Sequence, residues 1–144
     1  MPIFKRAVRT VSIKTKDLMS APPVTLSSDA KIDEVPGLMW ENSVGSVLIV
    51  DQRGKLVGIV TERDVIYAAS HGLLGRGTSV SSVMSRDLLT SSPDDDIASV
   101  IEKMRDHNVR HIPVVDSEGR PVGVVSARDV LDYAVSLISL FMRF

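Results

Sequence analysis

The chain has 144 residues, 44% of them hydrophobic and 24% charged, which suits one compact domain or two half-size units sharing a core. It contains no cysteine, which excludes disulfides, thiolate chemistry and cysteine-based zinc sites. A formal net charge of −1 excludes bulk electrostatic attraction to nucleic acid.

The first segment, residues 1–16, carries five basic residues and no acid before Asp17. Its apolar residues Ile3, Phe4, Ala7, Val8, Val11 and Ile13 are interrupted by charge, so it is not read as a signal peptide. Nor is the apolar stretch Ala134 to Met142 long enough to span a bilayer. A soluble, cytoplasmic protein is expected.

From Met19 onward the chain repeats itself. A shift of 65 positions aligns Met19 with Met84, Thr25 with Thr90, Asp29 with Asp94, Ile32 with Ile97 and Met39 with Met104. The same register carries on through Val44 and Val109, Asp51 and Asp116, Gly58 and Gly123, and Arg63-Asp64 and Arg128-Asp129. No gap is needed from Met19 to Val65, so the chain holds two copies of one unit. The expected divisions are a basic segment (1–16), a first unit (17–75) and a second unit with an apolar C-terminal helix (76–144).

In the first copy, Pro36-Gly37 falls inside the main helix, where the second has Ile101-Glu102. An interior proline loses a hydrogen bond and clashes with the previous turn, which predicts a kink or break near Val35. Trp40 follows and is assigned to the core or to an interface. Val47–Asp51 reads as a strand, Gln52-Arg53-Gly54 as a turn, Leu56–Thr61 as the returning strand, and a helix starts at about Glu62. The runs Val47–Val50 and Val57–Val60 are continuously apolar, so both faces of the sheet are expected to be covered.

In the second copy, Ser92-Pro93-Asp94-Asp95 predicts a helix start, with Ser92 as N-cap and Pro93 at the first helical position. Ile97, Val100, Ile101 and Met104 form the predicted buried stripe. The helix is expected to end near Asn108, followed by a strand from Val109 to Asp116 and a turn over Asp116–Arg120. A second strand then covers Pro121–Ser126, and a helix begins near Ala127 or Arg128. One such unit cannot cover both faces of its hairpin, whereas two packed sheet against sheet can, and clefts form where they meet.

Gly58-Ile59-Val60-Thr61-Glu62-Arg63-Asp64 and Gly123-Val124-Val125-Ser126-Ala127-Arg128-Asp129 close the second strands. With Asp17-Leu18-Met19-Ser20 and Pro113-Val114-Val115-Asp116, these phrases resemble those of cystathionine-β-synthase-type (CBS) domains that bind adenosine nucleotides, over residues 12 to 135. The resemblance implies an α/β (α+β) fold of two tandem β-α-β-β-α repeats, packed sheet against sheet with pseudo-twofold symmetry. It also implies a regulatory ligand, an adenine nucleotide, with AMP preferred over ADP and ATP.

The residues make chemical sense of this. A carboxylate accepts hydrogen bonds from both ribose hydroxyls, while a hydroxyl at a helix N-terminus complements a phosphate. Thr61 and Ser126 serve equally well as plain N-caps, with Asp64 and Asp129 as first-turn acids. By the resemblance, the first-ranked site joins Asp129, Ser126, Val125, Arg110 and His111 to a wall of Met19, Pro23, Val24, Val44, Gly45 and Ser46. The second joins Asp64, Thr61, Val60, Met84, Leu88, Leu89 and Val109, with Arg110 or His111 within reach.

The first rank rests on Arg110-His111, which replaces Gly45-Ser46 of the other copy, because a guanidinium grips phosphate with two hydrogen bonds. The same pair equally suits the cap of the preceding helix end. Arg63 and Arg128 rank lower, since neighbouring helix positions diverge from the aspartate face.

His107 and His111 have the spacing of a helical metal pair, but a helix end between them and the lack of a third ligand argue against metal. Asp94-Asp95-Asp96 is explained by a helix start. No catalytic constellation or phosphate loop is evident, so an enzyme is not expected. A homodimer through the repeat helices and an unknown effector protein are the expected partners, and output is expected to lie in another polypeptide. Three other readings remain: an interaction module with vestigial clefts, supported by the apolar tail Val135 to Phe144; S-adenosylmethionine as the ligand; and nucleic-acid binding through residues 1–16.

Overall fold

The computed structural model describes residues 12–143. The first copy comprises β1 (Thr25–Ser27), α2 (Glu34–Asn42), β2 (Ser46–Val50), β3 (Leu56–Thr61) and α3 (Glu62–Ser70), preceded by a single turn, α1 (Thr15–Leu18). The second comprises α4 (Ile97–His107), β4 (His111–Val115), β5 (Pro121–Ser126) and α5 (Ala127–Phe141). β1 runs parallel to β2, and β2 antiparallel to β3. In the second copy the β1 equivalent shrinks to one parallel bridge, between Ser91 and Val114, beside the β4–β5 hairpin.

Each hairpin is built the same way. Asp51 Oδ1 accepts from the backbone N–H groups of Arg53 (2.8 Å) and Lys55 (3.0 Å), and Asp116 Oδ1 from those of Glu118 (2.9 Å) and Arg120 (3.0 Å). Gly54 and Gly119, both at φ 78°, supply the left-handed residue that each turn requires. These backbone bonds hold the Asp51 carboxyl below its ordinary range, against an opposing effect of desolvation.

Two cores form, one per copy. Ile32, Val35, Met39, Val47, Ile49, Val60, Ala68, Val80 and Met84 make the first; Ile97, Val100, Ile112, Val114 and Val125 make the second. The segments that complete them are exchanged. The stretch before the first copy docks on the second, with Thr15 N–H donating to Asp95 O (2.9 Å), Ile97 N–H to Ile13 O (2.9 Å) and Ser20 pairing with Val124. The stretch between copies docks on the first, with Ile32 N–H donating to Thr78 O (2.9 Å), Val80 N–H to Ala30 O (2.8 Å) and Ser85 pairing with Ile59. Cutting between the copies would therefore strip part of each core.

The opposite sheet faces also lose water. Leu48 pairs with Ile59 on the face turned away from the first core; Leu48 is fully buried and Ile59 nearly so. Pro113 and Val124 are their counterparts, and Pro113 is buried. The two hairpins meet at their turns, where Leu56 N–H donates to Gly119 O (3.0 Å) and Arg120 Nε to Arg53 O (3.2 Å). The two-sided burial expected from the apolar runs is thus present.

Four expectations need correction. Pro36 neither kinks nor breaks its helix: α2 starts late, at Glu34, and places the proline in its first turn, where an N–H has no intrahelical acceptor. The residues ahead form a tighter turn, with Glu34 N–H donating to Lys31 O (3.0 Å) and Val35 N–H to Ile32 O (3.1 Å). Ser92 is not the cap of α4, because that helix begins at Ile97 with Asp96 as N-cap. The carbonyls of Pro93 and Asp95 are taken by Lys16 and Thr15 of the docked N-terminal stretch. Trp40 is 87% exposed, which removes the core assignment, since α2 buries Val35 and Met39 instead. Ile101 flanks the buried stripe of α4 and is 40% exposed.

Candidate functional site

Thr61 ends β3 in extended conformation and caps α3. Its backbone N–H donates to Asp64 Oδ2 at 2.8 Å and its hydroxyl to the same oxygen at 3.2 Å. Ser126 and Asp129 repeat the arrangement at the start of α5: Ser126 N–H donates to Asp129 Oδ2 (2.8 Å), and Asp129 N–H to Ser126 Oγ (3.1 Å). Both aspartates are therefore capping-box acids. Capping occupies one carboxylate oxygen of each. Among the described residues Asp64 Oδ1 accepts no hydrogen bond, while Asp129 Oδ1 accepts one from Ser20 Oγ at 3.5 Å. The capping role leaves an oxygen for a ligand.

A cleft of about 570 Å³ opens beside the first of these junctions. Thr61, Glu62, Arg63, Asp64 and Ile66 line it from the first copy, with Ile59 at its floor. Ser85, Asp87, Leu88 and Leu89 line it from the connecting stretch, and Asn108, Val109, Arg110, His111 and Pro113 from the α4–β4 junction. The volume lies within the range of small-molecule sites. Apolar Leu88, Leu89 and Val109 can sandwich a flat ring, Asp64 can accept from vicinal hydroxyls, and Arg110 can grip an anion.

The grouping of residues differs from the sequence expectation in one respect. The sequence groups Arg110 and His111 first with Asp129 and within reach of Asp64; both line the Asp64 cleft, and His111 also feels the charge of Asp129. The reason is topological. Within its own copy Arg110 offers its backbone to the α5 start, with Ala127 N–H donating to Arg110 O (2.8 Å), while the junction as a whole faces the other copy. The repeat-related positions around Asp129 are Pro23, Val24, Val44 and Gly45, and they carry no basic side chain.

Of the remaining candidates, Val60, Val125 and Met84 are buried in the cores, and Ser46 is buried opposite Thr61 in the β2–β3 ladder. Met19 packs on Gly123 just as Met84 packs on Gly58. Val24 uses its carbonyl to accept from Leu48 N–H (2.9 Å). Arg63 lines the Asp64 cleft; Arg128 is exposed at the matching position of α5. Sequence reasoning missed Glu62 and Asp87, acids that face the same cleft. Their repeat partners Ala127 and Pro22 are uncharged, and that contrast was the available signal.

His111 joins the two junctions. Its Cε1 lies 3.1 Å from the point a β-carbon would take on Gly45, and Glu62 Oε1 lies 3.0 Å from that point. Burial holds the imidazole below its ordinary value, opposed by the charges of Glu62 and Asp129 and aided by that of Arg110. His107 lies beyond Asn108, whose left-handed conformation ends α4 between the two histidines. The three neighbouring acids are each engaged: Asp94 with Lys16 Nζ (3.1 Å), Asp95 with Ser92 N–H (2.8 Å) and Asp96 with Ala98 N–H (3.4 Å).

No helix among the described residues is long and apolar enough to cross a membrane. Comparison with known proteins places this architecture. The sequence profile of the CBS domain matches residues 16–71 and again 80–136. A CBS domain pair of protein MJ0100, solved with 5′-methylthioadenosine and S-adenosyl-L-methionine, is 30% identical with a TM-score of 0.80, over 87% of this chain and 98% of that one. The CBS domain protein PAE2072 from Pyrobaculum aerophilum, solved with AMP, is 34% identical with a TM-score of 0.75, over 81% of this chain and 89% of that one. An L-aspartate semialdehyde sulfurtransferase of Methanocaldococcus jannaschii is 34% identical over 80% of this chain. This chain spans only 22% of that enzyme's length, so the match covers a module of it. Two matched repeats, exchanged core segments and a cleft between copies make one conclusion: the chain belongs to the CBS domain family, as a tandem pair.

Proposed function

We propose that this protein is a cytoplasmic regulatory module, without catalytic activity of its own, that binds an adenine nucleotide in the Asp64 cleft and passes occupancy to a partner. AMP is the preferred ligand, with ADP and ATP next. The observation that carries the reading is the convergence of Thr61, Asp64 and Arg110 on one cleft between the copies. Asp64 holds the ribose, Leu88, Leu89 and Val109 flank the base, and Arg110 with the α3 N-terminus receives the phosphate. The relatives solved with AMP and with 5′-methylthioadenosine and S-adenosyl-L-methionine support an adenosine ligand. The Asp129 site, built with Ser126, Pro23, Val24, Val44 and Gly45, is the weaker one for a phosphate because Gly45 stands where the other cleft has Arg110.

Output runs through α3 and α5. Both helices carry the site aspartate in the first turn and exposed apolar residues beyond it, Ile66 and Tyr67 on one, Leu131, Val135, Ile138 and Phe141 on the other. Ile66 and Leu131 are repeat partners, so the surface suits pairing with a second copy about a twofold axis. Ligand shifts that assembly only if it binds one arrangement more tightly. Calorimetry with AMP, ADP, ATP and S-adenosylmethionine, together with sedimentation in the presence and absence of each, tests both parts. Absence of binding below millimolar concentration removes the sensing role; binding without any change in size removes the assembly output.

A further inference from the structure

We propose that His111 takes up a proton when a phosphate-bearing adenosine ligand enters the Asp64 cleft, so that the cleft discriminates more strongly for anionic ligands as the medium acidifies. The inference rests on the nucleotide reading of that cleft. Its geometric basis is the position of the ring. His111 opens β4, opposite Ser126, and lines the cleft beside Arg110. Its imidazole is wedged against Gly45, within reach of the Glu62 carboxylate, which converges on the same glycine.

Charged groups reach the ring from several sides. Glu62 comes from α3, Asp129 from α5 and Arg110 from the residue before it. Arg63, Asp64 and Asp87 line the same cleft. Without ligand, burial holds the imidazole below its ordinary value, while two carboxylates favour its charged form. A phosphate seated on Arg110 neutralises a cation that opposes protonation and adds negative charge beside the ring. Each change raises the affinity of His111 for a proton. Glu62 and Asp87 face the incoming phosphate with like charge, and a protonated His111 offsets part of that repulsion.

The direction follows from linkage. A group whose proton affinity rises on binding takes up a proton between its free and bound titration points, so ligand affinity increases as pH falls through that window. A rise of about one pK unit corresponds to a gain of about tenfold at most. Gly45, Ser46 and Ala127 stand at the repeat positions of Arg110, His111 and Glu62, so the Asp129 site carries no histidine at the matching position.

The test is calorimetry of the full chain with AMP at pH 7 in two buffers of different ionisation enthalpy, with adenosine as the uncharged probe. The wild type is expected to take up a measurable fraction of a proton with AMP and none with adenosine. His111→Gln is expected to abolish the uptake, and the ratio of wild-type to variant affinity to rise several-fold from pH 8 to pH 6. That ratio also cancels the second ionisation of the phosphate itself. Proton NMR of the three histidines of the unmutated chain, titrated with and without AMP, gives the same answer should the variant fold poorly. One ring must shift its titration upward with ligand. Equal proton uptake in wild type and variant, or no shifted histidine, overturns the proposal and leaves nucleotide binding intact. Failure of AMP to bind at all overturns both.

Discussion

The imidazole of His111 faces Gly45 across the boundary between copies, with 3.1 Å from Cε1 to the place a β-carbon would occupy. The missing side chain at position 45 lets His111 and Glu62 approach the same space without displacement. Gly45→Ala pushes on the mobile ends of both side chains, so the stability cost is expected at the low end of overpacking, about 1 kcal/mol. The displaced ring and carboxylate then intrude on the Asp64 cleft. AMP affinity is expected to fall about fivefold, or ~1 kcal/mol, by calorimetry. Unchanged affinity would show that the contact is not part of the cleft wall.

Gly58 and Gly123 pose a harder constraint. A β-carbon on Gly58 would collide with the thioether of Met84, and the Met84 backbone cannot retreat, because the adjoining Ser85 exchanges two hydrogen bonds with Ile59 (2.9 and 3.0 Å). Gly58→Ala is expected to cost about 2–3 kcal/mol in urea unfolding. Gly123→Ala, which meets Met19 Sδ at 2.6 Å and Ser20 O at 3.0 Å, should cost as much. Met84→Ala removes buried volume at about 2–5 kcal/mol. Combined with Gly58→Ala it should cost less than the two singles together, because the collision is gone.

Pro36 provides a test with opposite signs. Were the proline to interrupt a helix, replacing it by alanine would stabilise the protein by about 3 kcal/mol. In the first turn of α2 it forfeits no intrahelical bond and restricts the unfolded chain. Pro36→Ala is therefore expected to destabilise by about 0–1 kcal/mol. A gain of several kcal/mol would contradict the observed helix start.

The same position explains how much the sequence revealed. The hairpins were legible because strand, turn and glycine signals are local: β3 and β5 fall on Leu56–Thr61 and Pro121–Ser126 as read, and α3 and α5 start where expected. α4 starts later than its local pattern predicts, and α2 leaves Pro36 in its first turn, because segments distant in sequence, 13–16 and 78–80, take up the backbone groups that would otherwise extend those helices. No local pattern announces such an exchange.

For the site, the repeat located both strand–helix junctions, and the contrast of Arg110-His111 with Gly45-Ser46 marked one cleft as basic. Which cleft received the pair depends on how two copies face each other. That relation comes from Leu48, Ile59 and Pro113 being buried between the sheets, and spacing along the chain does not encode it.

The most direct test compares AMP binding to the wild type, Asp64→Asn and Asp129→Asn by calorimetry. Asparagine keeps an oxygen for the capping bond to Thr61 or Ser126, so the helices stay anchored while the ribose loses its charged acceptor. A hydrogen bond to a charged group is worth about 1.5–3 kcal/mol, so Asp64→Asn is predicted to weaken AMP by roughly ten- to a hundredfold, and Asp129→Asn by much less. Full AMP affinity in Asp64→Asn, with the loss appearing in Asp129→Asn instead, would contradict the assignment of the nucleotide to the cleft that holds Arg110.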